Sequence, residues 1–194
     1  MEHKKTLKSF PLFILVLVVI VSCGKPDQLH ITSPDQMIRV MIDMENGPQY
    51  WITFGEDTIL KKSRIQLILQ KAQKLEKFEL LNVEESTVNE AWERVWGKRK
   101  HVTNHYNALI MHLREQDTGL LMDLYFRAYN DGVGIRYGFP EQENLNNIVL
   151  KEEKTEFSFT NNHQIWRADY QTYKSSQEQE FLNAKLSDIS NKYF

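Results

Sequence analysis

Residues 120–139 read LLMDLYFRAYNDGVGIRYGF. From Leu121 the side chains alternate, with Leu121, Asp123, Tyr125 and Arg127 set against Met122, Leu124, Phe126 and Ala128. A period of two with one apolar face is the pattern of a half-buried strand. Asn130-Asp131-Gly132 then turns the chain. Val133, Ile135, Tyr137 and Phe139 line one face of the next strand, which Pro140 ends because it has no N–H to give a ladder. Two strands on a tight turn predict an antiparallel sheet.

The same period extends on both sides. Ala108, Ile110 and His112 alternate with Leu109, Met111 and Leu113, and Gln116 to Gly119 forms a turn into the decisive stretch. Nearer the start, Ile38, Val40, Ile42 and Met44 share a face. Glu45-Asn46-Gly47-Pro48 supplies a turn, and Tyr50, Ile52 and Phe54 return as the second arm of a hairpin. Gly55-Glu56-Asp57 turns again before a third candidate strand through Ile65, Leu67 and Leu69. Residues 62–81 also fit a helical period, and their Lys, Glu and Gln content favours helix, so a short helix is expected at 70–76. Short strands are expected at 147–152, 155–159 and 164–168, with no strand signal after Asp169. This succession predicts an all-β antiparallel sandwich or barrel with short helices at most.

Composition narrows the function. The 194 residues carry 24 Lys+Arg against 26 Asp+Glu, a net charge of −2, which leaves no positive field for a polyanion and excludes nucleic acid as a partner. The single cysteine excludes an internal disulfide and a Cys-only zinc site. The chain has no HExxH, no GxSxG, no phosphate-cradling glycine loop and no dinucleotide fingerprint. His101 and His105 are four apart, but Gly97 and Asn104-His105-Tyr106 argue against the helix that would aim both at one metal.

Residues 1–22 read as a lipoprotein signal peptide: a basic start at Lys4, Lys5 and Lys8, then an apolar run from Phe10 to Val21. That run is shorter than the roughly 20 residues a membrane-crossing helix needs. It ends in Ile20-Val21-Ser22-Cys23-Gly24, which resembles the bacterial lipobox, with Cys23 as the lipidated residue. Several acyl chains on one cysteine anchor stably, since each buried CH₂ contributes about 0.8 kcal/mol. Residues 23–33 are read as the lipidated cysteine and a polar tether, and 34–190 as the folded domain. Export and attachment to the cell envelope are expected. Loss of residues 1–22 removes three lysines and Glu2, so the mature chain carries −4.

Three further stretches combine with the decisive one. Trp92-Glu93-Arg94-Val95-Trp96-Gly97 precedes Asn104-His105-Tyr106-Asn107; Phe126 to Tyr137 follows; Phe157-Ser158-Phe159 and Trp166 come last. In this order and spacing they resemble the N-terminal domain of glycoside hydrolase family 97, the α-glucosidases and α-galactosidases of Bacteroidetes glycan-use systems. Ser33-Pro34-Asp35 is similar to that domain's opening. The resemblance implies a β-supersandwich of the galactose-mutarotase-like kind, followed in the family by a catalytic (β/α)₈ barrel of around 250 residues. With Phe194 last, the chain is expected to lack that barrel, to have no catalytic residues and to be inactive alone.

Several expectations rest on this resemblance. The chain would be a non-catalytic, carbohydrate-associated module of an α-glycosidase. The alternative is a freestanding interaction lipoprotein that docks a separately encoded barrel. Partners would be an α-linked oligosaccharide, a family 97 barrel in cis or in trans, and the membrane through the lipid. One glutamate of the family's N-terminal domain helps hold calcium near the sugar; Glu180 matches it, with Glu178 as the alternative. Trp96, Asn104, Tyr106 and Trp166 are candidate sugar contacts. For Trp92, Trp96, Tyr106 and Trp166 the competing reading is packing in the sandwich core or support of its loops, and for Asn104 and Asn107 hydrogen bonding to nearby backbone in loops. Arg127 and Arg136 are expected as a pair across their hairpin, matched to Asp123 or Glu141.

Overall fold

In a computed structural model of the chain, the structure describes residues 28–70, 73–143, 148–170, 172, 174–176 and 178–189. The expected signal peptide, Cys23 and the start of the expected tether lie outside these residues. The decisive stretch forms β9 (Leu121–Tyr129) and β10 (Gly132–Gly138), paired antiparallel with Tyr129 opposite Gly132. Met122, Leu124, Phe126 and Ala128 are buried, as their alternation requires. The remaining strands are β1 (Leu29–Thr32), β2 (Ile38–Asp43), β3 (Gln49–Phe54), β4 (Asp57–Arg64), β5 (Leu67–Leu69), β6 (Gln73–Leu75), β7 (Phe78–Glu93), β8 (His101–Glu115), β11 (Leu150–Glu153), β12 (Gln164–Arg167) and β13 (Leu182–Lys185).

Two four-stranded antiparallel sheets face each other, β1-β2-β3-β4 and β10-β9-β8-β7. Strands β1 and β2 pack over β8 and β9. Between them lies one core, with Val40, Ile42 and Tyr50 from the first sheet and Leu109, Met111, Leu124 and Phe126 from the second. The Tyr50 ring packs on Phe126 at 6.4 Å while its hydroxyl donates to the Glu156 carbonyl at 2.9 Å. Burial, aided by the Glu156 charge, pushes the Tyr50 pKa up to about 12, so the phenol is a neutral donor. Smaller sheets, β11-β5-β6 and β12-β13, complete the described residues. The all-β sandwich expectation holds. Among the described residues no helix is long and apolar enough to cross a membrane.

Four local readings change. The strand expected at 155–159 does not form, and only Phe159 makes an isolated bridge there, to Leu60. The helix expected at 70–76 is replaced over Gln73–Leu75 by β6, which pairs with β5 through Leu67 opposite Leu75; residues 71–72 lie outside the described set. Burial of Leu75 and Leu67 in the shared core outweighs the helical preference of the charged residues around them. The tether read over 23–33 is too long, because Leu29–Thr32 form β1 on the edge of β2 and bury Ile31. Finally, β13 continues the sheet structure past Asp169, where no strand was expected: Leu182 pairs with Arg167 and Lys185 with Gln164.

The turns are held by side chains. Ser33 and Asp35 close the β1–β2 connection: the Ser33 hydroxyl donates to Asp35 at 2.6 Å and accepts from the Ile38 N–H at 2.9 Å. The Asp35 N–H donates to the Asn130 side chain at 3.1 Å, tying this turn to the β9–β10 turn of the facing sheet. Asn130-Asp131-Gly132 is thus a structural turn. Glu115, buried at the end of β8, accepts from the Asp117 and Thr118 N–H groups and from the Thr118 hydroxyl, which satisfies the carboxylate without a counter-ion.

Candidate functional site

Alternation along β7 to β10 assigns each residue to one of two faces, and the residues not in the core form the outer face of the second sheet. Tyr106 lies opposite Tyr129, Ala108 opposite Arg127, Ile110 opposite Tyr125, and His112 opposite Asp123. Arg127 lies over the Tyr106 ring at 4.6 Å and Arg136 over the Tyr125 ring at 4.0 Å. The expected arginine pair across the hairpin is therefore replaced by two cation–π stacks, since each guanidinium meets an aromatic face before it meets a carboxylate. Gly138 leaves room beside this stack: a Cβ there would stand 2.7 Å from the Tyr125 ring.

At the same face, His112 Nδ1 is 2.8 Å from Asp123, and Nε2 is 3.3 Å from Glu84. The Glu84 contact is a charge contact without hydrogen-bond alignment, because Nε2 has no hydrogen-bond partner. Asp123 therefore dominates in holding the imidazole pKa above its ordinary value. The Tyr125 hydroxyl also donates to Asp123 at 3.2 Å.

Trp96 sits at the tip of the β7–β8 hairpin, 86% exposed beside Val95 at 99%. This hairpin runs past the last β9 pair at Tyr106, so the segment from Asn89–Glu93 to His101–His105 is a two-stranded ribbon. Asn104 stands on that ribbon, opposite Glu90. Tyr106 is buried, with Tyr129 at 5.0 Å, so for this residue the packing role holds. For the tryptophans core packing is overturned, since Trp92, Trp96 and Trp166 are all exposed, Trp166 by 69% on β12. Asn107 ties three strands together and does not bond nearby backbone: its amide donates to the Thr32 carbonyl of β1 and its oxygen accepts from the Thr87 hydroxyl of β7, both at 2.8 Å. It does so from strand β8, where a loop was expected. The candidate sugar contacts thus share one strand and its preceding loop, with Trp166 on a separate hairpin.

Glu178 and Glu180 are exposed on the segment before β13. No group of three His, Cys, Asp or Glu that could hold a metal occurs among the described residues. Calcium takes six to eight oxygens, so the donor set of these residues does not by itself fit the ion.

A feature with no sequence signal is an apolar gap of about 520 Å³ at the open side of the sandwich. Ile52, Phe54 and Ile59 of the first sheet line one wall, Val133, Ile135 and Tyr137 of β10 the other, and Phe157 the end. The segment after β11 runs beside β4, with Lys61 N–H on the Ser158 carbonyl and Glu156 N–H on the Arg64 carbonyl, both 2.8 Å. The first sheet therefore extends past the second, and β10 is the second sheet's edge.

Residues 31–193 match the family model described as Glycosyl-hydrolase 97 N-terminal. This chain belongs to that family. A retaining alpha-galactosidase of Bacteroides thetaiotaomicron is 25% identical to this family 97 domain over 132 residues, covering 68% of the chain and 19% of the relative. A family 97 enzyme of Pseudoalteromonas sp. strain K8, solved as a variant, superposes with TM-score 0.73 at 27% identity, over 82% of the chain and 25% of the enzyme. The same strain's family 97 enzyme in complex with panose gives 0.67 at 30% identity, over 71% and 22%. A β-arabinopyranosidase shares the fold with TM-score 0.69 at 21% identity. The domain thus spans about a fifth to a quarter of the length of these relatives.

Proposed function

We propose that this family 97 domain is a non-catalytic, carbohydrate-associated module that serves an α-glycosidase by joining its catalytic barrel, on one polypeptide or by docking. The observation that carries this reading is the match over residues 31–193 to a family whose matched enzymes are far longer than the chain. An outer sheet face rich in Tyr and Arg, residue types enriched at protein interfaces, supports it. So does the exposed Trp96. The ligand class of the joined protein is an α-linked oligosaccharide, in keeping with the galactosidase and panose-complex relatives. Calcium belongs to the joined protein, with Glu180, or Glu178, as one ligand among others from the barrel. Cys23 anchors the module to the envelope through lipid.

Mixing the chain with the Pseudoalteromonas enzyme stripped of the segment that matches it tests the reading. The expected result is a stable complex whose turnover of a nitrophenyl α-glucoside exceeds that of either part at least tenfold and falls on chelation. In the chain alone, chelator leaves the melting temperature unchanged. Absence of any complex at micromolar concentrations overturns the proposal.

A further inference from the structure

Strands β1 and β2 cover β8 and β9, Tyr50 of β3 packs on Phe126 of β9, and Tyr137 of β10 meets Thr155, so only the outer part of the first sheet, at Phe54 of β3 and Ile59 of β4, has no second-sheet strand opposite it among the described residues. The vacant position has the attributes of a strand site. Its backbone side is the outer edge of β10, which pairs on one side with β9 and on the other with no strand among the described residues. Its side-chain side is the apolar gap, open to solvent and continuous with the core. Phe54 and Ile59, each 45% exposed, and Phe157, 60% exposed, are the apolar groups left bare there. Neighbouring strands lie about 4.8 Å apart and facing sheets about 10 Å apart, so one more strand beside β10 falls over β4 and sends alternate side chains into the gap.

We infer that this position receives an extended, apolar strand from the catalytic polypeptide of a family 97 glycosidase, by β-strand addition. The inference rests on the functional reading above and names where the joining occurs. That source is chosen because the relatives carry three quarters or more of their length beyond the part that this chain matches. The alternation on β10 sets the chemistry of the occupant. Bulky apolar residues at every second position fill the gap, and polar residues between them continue the outer face beside Arg136.

The test uses the full chain and the same stripped Pseudoalteromonas enzyme. Amide hydrogen exchange over Val133–Tyr137 is expected to slow at least tenfold in the complex. Ile59→Glu and Phe157→Glu, both at exposed positions, should each weaken the complex at least tenfold while leaving the melting temperature of the free chain within about 2 °C. Val95→Glu, at the distant hairpin tip, should bind as the parent does. A complex that forms with β10 unprotected and both groove variants binding normally overturns the strand site and leaves the functional proposal standing. Absence of a complex removes both. A free chain that sediments as a dimer with β10 already protected assigns the gap to a second copy and also overturns the inference.

Discussion

His112 stands between Asp123 at 2.8 Å and Glu84 at 3.3 Å, and the hydrogen bond to Asp123 is the main reason its pKa is raised above 6.5. A group whose folded pKa exceeds its unfolded value favours the folded state fully below the unfolded pKa, and that contribution is lost as pH rises through the folded value. Comparison of urea midpoints between the parent and His112→Gln should therefore show the largest parental advantage at and below about pH 6.5, shrinking above it. A difference that stays constant from pH 5.5 to 8.5 would mean that His112 acts by packing alone. The period of two assigns His112 and Asp123 to adjacent strands, and their separation along the chain leaves their pairing to the β8–β9 register. Arg127 and Arg136 make the same point. Their side was legible, but their partners were not, because ring and carboxylate neighbours compete at short range.

At the scale of elements, the β2–β3 connection places Asp43 opposite Gln49 and leaves Met44 to Pro48 as the loop. Gly47 there has φ +85°, and an added Cβ would come within 2.4 Å of the Glu76 carbonyl oxygen. Both the backbone conformation and the space exclude a side chain. Gly47→Ala is expected to lower stability by more than about 1 kcal/mol in chemical denaturation, since the native conformation is incompatible with alanine. An unchanged midpoint would show that the loop rearranges freely. Elements whose apolar face is continuous, such as β2, β9 and β10, were readable from periodicity. Strand β7 was not, because polar and charged side chains outnumber apolar ones along Phe78–Glu93 and the strand exists by pairing along β8. Strand β6 was misread for the related reason that its pairing with β5 overrides local helical preference.

Across the whole molecule, the two sheets share a core but not an outline. Their offset leaves an apolar gap on one side, and the overhanging β7–β8 ribbon carries Trp92 and Trp96 into solvent beyond the sandwich. Such exposed apolar surface marks an interaction site. The lipid anchor proposed at Cys23 belongs to this scale as well, because it would position the entire domain. In a bacterial host with lipoprotein processing, the chain is expected in the membrane fraction and to incorporate labelled palmitate. Cys23→Ala should release it to the soluble fraction without changing its melting temperature. Palmitate label that persists in that variant would remove Cys23 as the attachment point.

Sequence alone determined the all-β antiparallel class, the core face of the central strands, and the family, because alternation and motif order are properties of the chain read residue by residue. Tertiary structure decided which strands meet across the sheets, that Trp96 and Trp166 are exposed while Tyr106 is buried, and that an apolar gap opens between β10 and the first sheet. Those outcomes depend on the relative placement of strands far apart in the chain. Alternation specifies a face for each residue, and only the packing of one sheet on another specifies what that face meets.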